Sequence, residues 1–151
     1  MITIYTDGAA KGNPGPGGYG TILDFQGKRK ELSEGFRHTT NNRMELLAVI
    51  KGLEAIKKPG WNVLVYSDSK YVVDSVEKGW LKGWVVKGFK GKKNPDLWKR
   101  YLKVAEQHNV KFKWIKGHAG HPENERCDQL AVQAAEGRKL KVDKEFEAIE
   151  G

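Results

Sequence analysis

Hydrophobic and polar positions alternate through the first quarter of the chain. Ile2 and Ile4 face one side and Thr3, Tyr5 and Asp7 the other, which predicts a strand over residues 2–7. A Gly- and Pro-rich turn follows at residues 12–18. Tyr19, Thr21, Leu23 and Phe25 then alternate through a second strand, Gln26-Gly27-Lys28 forms a hairpin turn, and a third strand covers residues 29–37. The period then changes to that of a helix. Leu46, Val49, Ile50, Leu53 and Ile56 make an apolar stripe that Asn41 or Asn42 can cap and that Pro59-Gly60 ends. Residues 62–67 form a nearly continuous apolar run, as in a strand covered on both faces. A helix over residues 69–78 and a short helical piece near residue 80 come next. Asn94-Pro95 opens a helix carrying Leu97, Trp98, Tyr101, Leu102 and Ala105. A fifth strand at residues 110–115, a loop at 116–122 and a last helix at 123–136, stopped by Gly137, complete the pattern. The charged tail from Arg138 onward supports no assignment.

Three hairpin-linked strands followed by alternating helices and strands imply an α/β fold with a five-stranded mixed sheet flanked by helices. Its first three strands would be antiparallel, and the last two would be added parallel to strand 1 through right-handed crossovers. With 151 residues, no internal repeat and no linker, a single domain over residues 1–151 is expected.

Composition narrows the function. With 38% hydrophobic and 30% charged residues the chain is globular, and no apolar run approaches the roughly 20 residues a membrane helix needs. The N-terminus lacks the charged and then apolar regions of a signal peptide. One cysteine, Cys127, excludes an intrachain disulfide and fits a reducing, cytoplasmic setting. The net charge is +8, and five lysines with no acid fall within residues 82–93. A solvated lysine loop would explain the charge alone. Trp84 and Phe89 among the cations favour a nucleic-acid partner, because aromatic rings between phosphate-binding cations supply stacking.

Four carboxylates occupy positions of interest: Asp7 at the end of strand 1, Glu45 in the first turn of the first helix, Asp68 at the end of strand 4 and Asp128 in the last helix. Each has an ordinary explanation, as turn residue, macrodipole partner, helix cap or solvated side chain. If strand 1 is central, however, Asp7 and Asp68 are neighbours at the carboxyl ends of adjacent parallel strands, where open α/β sheets bind ligands. Two carboxylates about 4 Å apart repel by roughly 4 kcal/mol at an effective dielectric of 20. A divalent cation offsets that repulsion, and oxygen-only ligands suit Mg²⁺ or Mn²⁺. Two such ions can activate a water and stabilise the leaving oxygen of a phosphodiester. Gly15 to Gly20 matches G-x-G-x-x-G in spacing but opens a strand, so it is no dinucleotide fingerprint. His118, His121 and Cys127 lack the second ligand pair of a zinc site. His118, on a loop beside Asp128, suits proton transfer.

Thr6-Asp7-Gly8, Gly12-Asn13-Pro14-Gly15-Pro16-Gly17-Gly18-Tyr19-Gly20, Thr40-Asn41-Asn42-Arg43-Met44-Glu45, Ser67-Asp68-Ser69 and the run from Lys116-Gly117-His118 to Asp128 resemble type 1 ribonuclease H of the bacterial ribonuclease HI group. The resemblance extends from residue 2 to about 136. It implies the ribonuclease H-like fold and endonucleolytic hydrolysis of RNA in RNA–DNA hybrids by a monomer, leaving 5′-phosphate and 3′-hydroxyl ends. It makes Asp7, Glu45, Asp68 and Asp128 the catalytic acids that hold two Mg²⁺ ions, with Mn²⁺ a substitute, and His118 an aid to proton transfer or product release. Asn13 and Asn41 match positions that read the RNA minor groove, and Thr40 with Asn13 a pocket for a DNA phosphate. Trp80, Lys82, Trp84, Lys87, Phe89, Lys90, Lys92 and Lys93 fall in a segment resembling the family's basic protrusion, residues 80–93. Lys70 stands where glutamine is common and Phe89 where tryptophan is common. The tail 138–151 matches poorly. Two rival readings stay open: a DNA-cutting enzyme on the same fold, and a non-catalytic hybrid-binding module.

Overall fold

The computed structural model describes residues 1–117 and 119–150. Its strands are β1 (Ile2–Ala10), β2 (Gly15–Phe25), β3 (Lys28–Thr39), β4 (Asn62–Ser67) and β5 (Asn109–Trp114). The helices are α1 (Asn41–Glu54), α2 (Lys70–Glu77), α3 (Trp80–Val86), α4 (Pro95–Ala105), α5 (Pro122–Glu136) and α6 (Lys144–Glu150). The sheet order is β3-β2-β1-β4-β5, with β1 central as expected. β1 pairs antiparallel with β2 and parallel with β4, and β5 runs parallel to β4.

The alternation along β1 sorts its side chains to two layers. Ile2 and Ile4 join the main core beneath α1, which also holds Met44, Leu46, Ile50, Val63, Val65, Trp98 and Phe112. Tyr5 packs on the opposite face, where Ile22, Cys127 and Leu130 form a smaller cluster under α5. β4 buries Val63, Val65 and Ser67 on one face, whereas Leu64 and Tyr66 on the other are only half-buried, so it is covered less completely than its apolar run predicts.

Several boundaries differ from expectation. β1 extends to Ala10 and β2 begins at Gly15, because the ladder continues to the Ala10–Gly17 pair. Gly15, Gly17 and Gly18, first read as part of a turn, are therefore strand residues, and the turn shrinks to residues 11–14. Gly20 shows why side chains are missing there: a Cβ on it would lie 2.2 Å from the Cys127 carbonyl oxygen of α5. Helix and sheet can approach only where no side chain intervenes. α1 is capped by Thr40 rather than by Asn41 or Asn42. The Thr40 hydroxyl accepts from the Arg43 N–H at 3.2 Å. His121 caps α5 in the same way. The charged tail, which sequence pattern left unassigned, returns to the sheet. Lys141 bridges to Phe36 beside β3, Asp143 is buried, and α6 follows.

Candidate active site

Asp7 and Asp68 are delivered by the parallel pairing of β1 with β4, which aligns Tyr5 with Tyr66 and leaves both acids just beyond at one end of the sheet. Glu45 comes from α1, one turn beyond its Thr40 cap. Gly8 lets that helix come close, since a Cβ there would lie 2.4 Å from the Glu45 backbone nitrogen. One carboxylate oxygen from each of Asp7, Glu45 and Asp68 lies within 4.8 Å of the others. Asp128, from α5, lines the same cleft, a cavity of about 500 Å³ that also takes in Asn41, Asn42, Ser69, Lys70 and Tyr71.

Burial at this spacing perturbs the acids. Asp7 is 6% exposed and Glu45 3%. Loss of solvation is the main cause that pushes the Asp7 carboxyl up to about 7. The charges of Asp68 and Asp128 add to it, while the hydrogen bonds from Glu45 and the Gly8 N–H oppose it. The Glu45 carboxyl is pushed well above the usual range, first by burial and then by the Asp7 charge. The Gly8 N–H donates to Asp7 Oδ1 at 2.9 Å and also to Glu45 Oε1. Burial and mutual repulsion thus both disfavour the ionised pair of Asp7 and Glu45. The donor set is oxygen-only and repulsive, with Asp7 and Glu45 buried and Asp68 and Asp128 half-buried, which fits Mg²⁺ or Mn²⁺ rather than zinc.

The other expected residues fall into groups. Asn13 and Asn41 meet at the cleft edge, where Asn13 Oδ1 accepts the Asn41 backbone N–H at 3.1 Å. Thr40 is engaged as the α1 cap. Lys70 is exposed on the cleft rim, with its Nζ 4.8 Å from the Trp114 ring centroid. Lys82, Lys87, Lys90, Lys92 and Lys93 are all exposed. Trp80 is 47% exposed. Trp84 is half-buried, packing edge-on against Trp98 at 5.9 Å with Lys92 Nζ 5.4 Å from its ring. Phe89 is placed differently from its expected role as a surface aromatic: it is 8% exposed and anchors the protrusion to the core. His118 lies outside the described residues. Sequence pattern missed Asn42 and Tyr71 in the cleft lining, since neither an amide in a first helical turn nor a tyrosine in an amphipathic helix signals a site. Asn124 was missed too; its buried Nδ2 has no hydrogen-bond partner among the described residues.

A buried carboxylate cluster at the carboxyl ends of two parallel strands, on a mixed sheet beside a lysine-rich aromatic protrusion, defines a nuclease-type site. The comparisons agree. The RNase H family model matches residues 1–136, so the chain belongs to the ribonuclease H family. A relative named ribonuclease H from Desulforamulus reducens is 63% identical over 147 residues, covering 94% of this chain and 92% of its own length. One from Lachnoclostridium phytofermentans is 57% identical over 153 residues, covering 94% and 96%. Among solved structures, LC9-RNase H1, described as a type 1 RNase H with the type 2 active-site motif, superposes with a TM-score of 0.81 at 32% identity. It covers 97% of this chain and 80% of its own. LC11-RNase H1, solved in complex with an RNA/DNA hybrid, superposes at 0.64 and 28% identity, covering 90% and 97%.

Proposed function

We propose that this chain is an endonuclease that hydrolyses the RNA strand of RNA–DNA hybrids, leaving 5′-phosphate and 3′-hydroxyl ends. The convergence of Asp7, Glu45 and Asp68 within 4.8 Å, with Asp128 in the same cleft, carries the reading. A module that only bound hybrid would have no use for buried, mutually repelling acids. The hybrid-bound LC11-RNase H1, which shares the fold, supports the substrate.

In this reading Asp7, Glu45, Asp68 and Asp128 hold divalent cations. Two bound Mg²⁺ ions, with Mn²⁺ a substitute, would supply an activated water and charge stabilisation at the leaving oxygen. Burial holds the Asp7 and Glu45 carboxyls above their ordinary values, and a cation would need them ionised, so binding would strengthen as pH rises. Asn13 and Asn41 present amide groups suited to 2′-hydroxyls, which distinguish RNA from DNA. Thr40 with Asn13 offers a DNA phosphate pocket. The exposed lysines of residues 80–93 take backbone phosphates, with Trp80 and Trp84 between them, and Lys70 adds a cation at the cleft rim. His118 assists proton transfer or product release. The whole chain acts as one domain, as a monomer. The absence of any described helix long and apolar enough to cross a membrane, together with a single buried thiol, fits work in the cytoplasm.

The test supplies one sequence as RNA–DNA hybrid, single-stranded RNA, duplex RNA and duplex DNA, with Mg²⁺ and with chelator. Mg²⁺-dependent cutting of only the hybrid's RNA strand is expected. Cutting of DNA overturns the substrate, and binding without cutting overturns the enzyme.

A further inference from the structure

The C-terminal segment lies outside the family match, which stops at residue 136. It nevertheless reaches a side chain next to the cleft. Arg43, 2% exposed, sits in the first turn of α1 between the cleft-lining Asn42 and Glu45. Its guanidinium joins three parts of the chain. Nε and Nη2 donate to the two oxygens of Asp143 at 2.8 and 2.9 Å. Nη1 and Nη2 donate to Asp96 at the start of α4 at 2.9 and 2.7 Å. Nη1 also reaches Asn94 Oδ1 at 3.3 Å. Phe146 of α6 covers the group, its ring centroid 5.6 Å from the guanidinium carbon.

The connections continue on both sides. Asp143 accepts from the Thr39 hydroxyl at 2.7 Å, just before the Thr40 cap of α1. Asn94 Nδ2 donates to the Tyr71 hydroxyl at 3.1 Å, and the Trp98 indole N–H donates to the same oxygen at 2.8 Å. With both acceptor positions filled, the Tyr71 hydroxyl keeps its own proton to donate, and Tyr71 lines the cleft. An unbroken run of hydrogen bonds therefore links Asp143 through Arg43 and Asn94 to Tyr71. Asn41 and Asn42 lie in the turn that Arg43 holds.

We propose that the C-terminal segment belongs to the substrate-binding apparatus: Asp143, acting through Arg43, is a positioning residue that sets the cleft-lining Asn41, Asn42 and Tyr71. The acids have separate supports. Gly8 N–H holds both Asp7 and Glu45, and the β1–β4 pairing places Asp68. Loss of Asp143 therefore acts first on Asn41 and Asn42, next to Arg43, while the Gly8 N–H still holds the Glu45 carboxylate in place. Asp96 still compensates the Arg43 charge when Asp143 is lost, but the buried Nε and the Thr39 hydroxyl lose their acceptor, and the start of α1 must shift to satisfy them.

The proposal rests on hybrid cleavage being the activity, and the test separates the two. Full-length wild-type protein, Asp143→Ala and Arg37→Ala are compared on RNA–DNA hybrid, well below the lowest melting temperature of the three. Arg37→Ala breaks the exposed Arg37–Glu147 ion pair, which holds the same segment without touching Arg43. Asp143→Ala should raise KM roughly fivefold or more with kcat within about twofold, the signature of lost substrate binding. Arg37→Ala should match wild type. Asp143→Asn, which keeps an acceptor for Arg43, should fall between, and it replaces the alanine variant if that fails to fold. Unchanged KM in Asp143→Ala, or a fall in kcat alone, overturns the positioning role. If wild-type protein binds hybrid without cutting it, the proposed activity fails, and the same comparison is read as Kd.

Discussion

Replacing Asp7 by Asn should cost the protein its activity and make it more stable, in a pH window the site itself sets. Asp7 titrates near 7 in the folded chain against 3.8 for a solvated carboxyl. A carboxyl whose folded value is raised binds more protons folded than unfolded between those limits. Stability is therefore lost as pH rises from about 4 through about 7. Three pH units at about 1.4 kcal/mol each put the maximum penalty near 4 kcal/mol above pH 7. Asp7 is not completely buried and the chain can relax around it, so a gain of about 2–4 kcal/mol is expected for Asp7→Asn at pH 8 in chelator. Asn can keep the acceptor that faces the Gly8 N–H. For a chain of this length that gain is roughly 5–15 °C in Tm. It should shrink to little at pH 4.5, where Asp7 is already protonated in the folded state. Mg²⁺ should raise the wild-type Tm more than that of the variant, because a ligand that binds only the folded form adds about 2.7 kcal/mol at a hundredfold excess over Kd. Melting followed by circular dichroism at both pH values, with chelator and with Mg²⁺, measures all of this. Equal melting of wild type and Asp7→Asn at pH 8 in chelator, or an equal gain at pH 4.5, would refute the account of a buried, repelling cluster.

Three other outcomes are expected. Replacing Lys82, Lys87, Lys90, Lys92 and Lys93 by Gln should flatten the log–log salt dependence of hybrid binding by about 3.6, the value for four lost phosphate contacts on duplex scaling; an unchanged slope removes the protrusion from the interface. Gly20→Ala forces a methyl against the Cys127 carbonyl, so denaturant titration should show a loss of roughly 1–3 kcal/mol or more, with activity reduced because α5 carries Asp128. Burial pushes the Cys127 thiol far up, so a thiol-specific reagent should label it only on the unfolding timescale; rapid labelling of native protein would contradict the packing of α5 on the sheet.

What the sequence determined on its own was whatever depends on short-range pattern. Alternation over residues 2–7 and 19–25, the 3.6-residue stripe from Leu46 to Leu53 and the apolar run of β4 each mark an element, because burial on one face leaves its period in the chain. Strand order followed from hairpin lengths and crossover handedness, and with β1 central the pairing of Asp7 with Asp68 could be expected. Sequence position singles out Glu45 and Asp128 with Asp7 and Asp68, but only family resemblance ties them firmly to the set, since a helix carries many carboxylates and none announces where its helix will dock. Tertiary structure alone decided the rest. Gly18 looked like part of a turn until α5 lay against it, for close approach between elements leaves no local signature. Phe89 looked like a surface ring until the protrusion folded over the core. The tail looked like solvated charge until Asp143 met Arg43, residues 100 positions apart whose pairing no local period encodes.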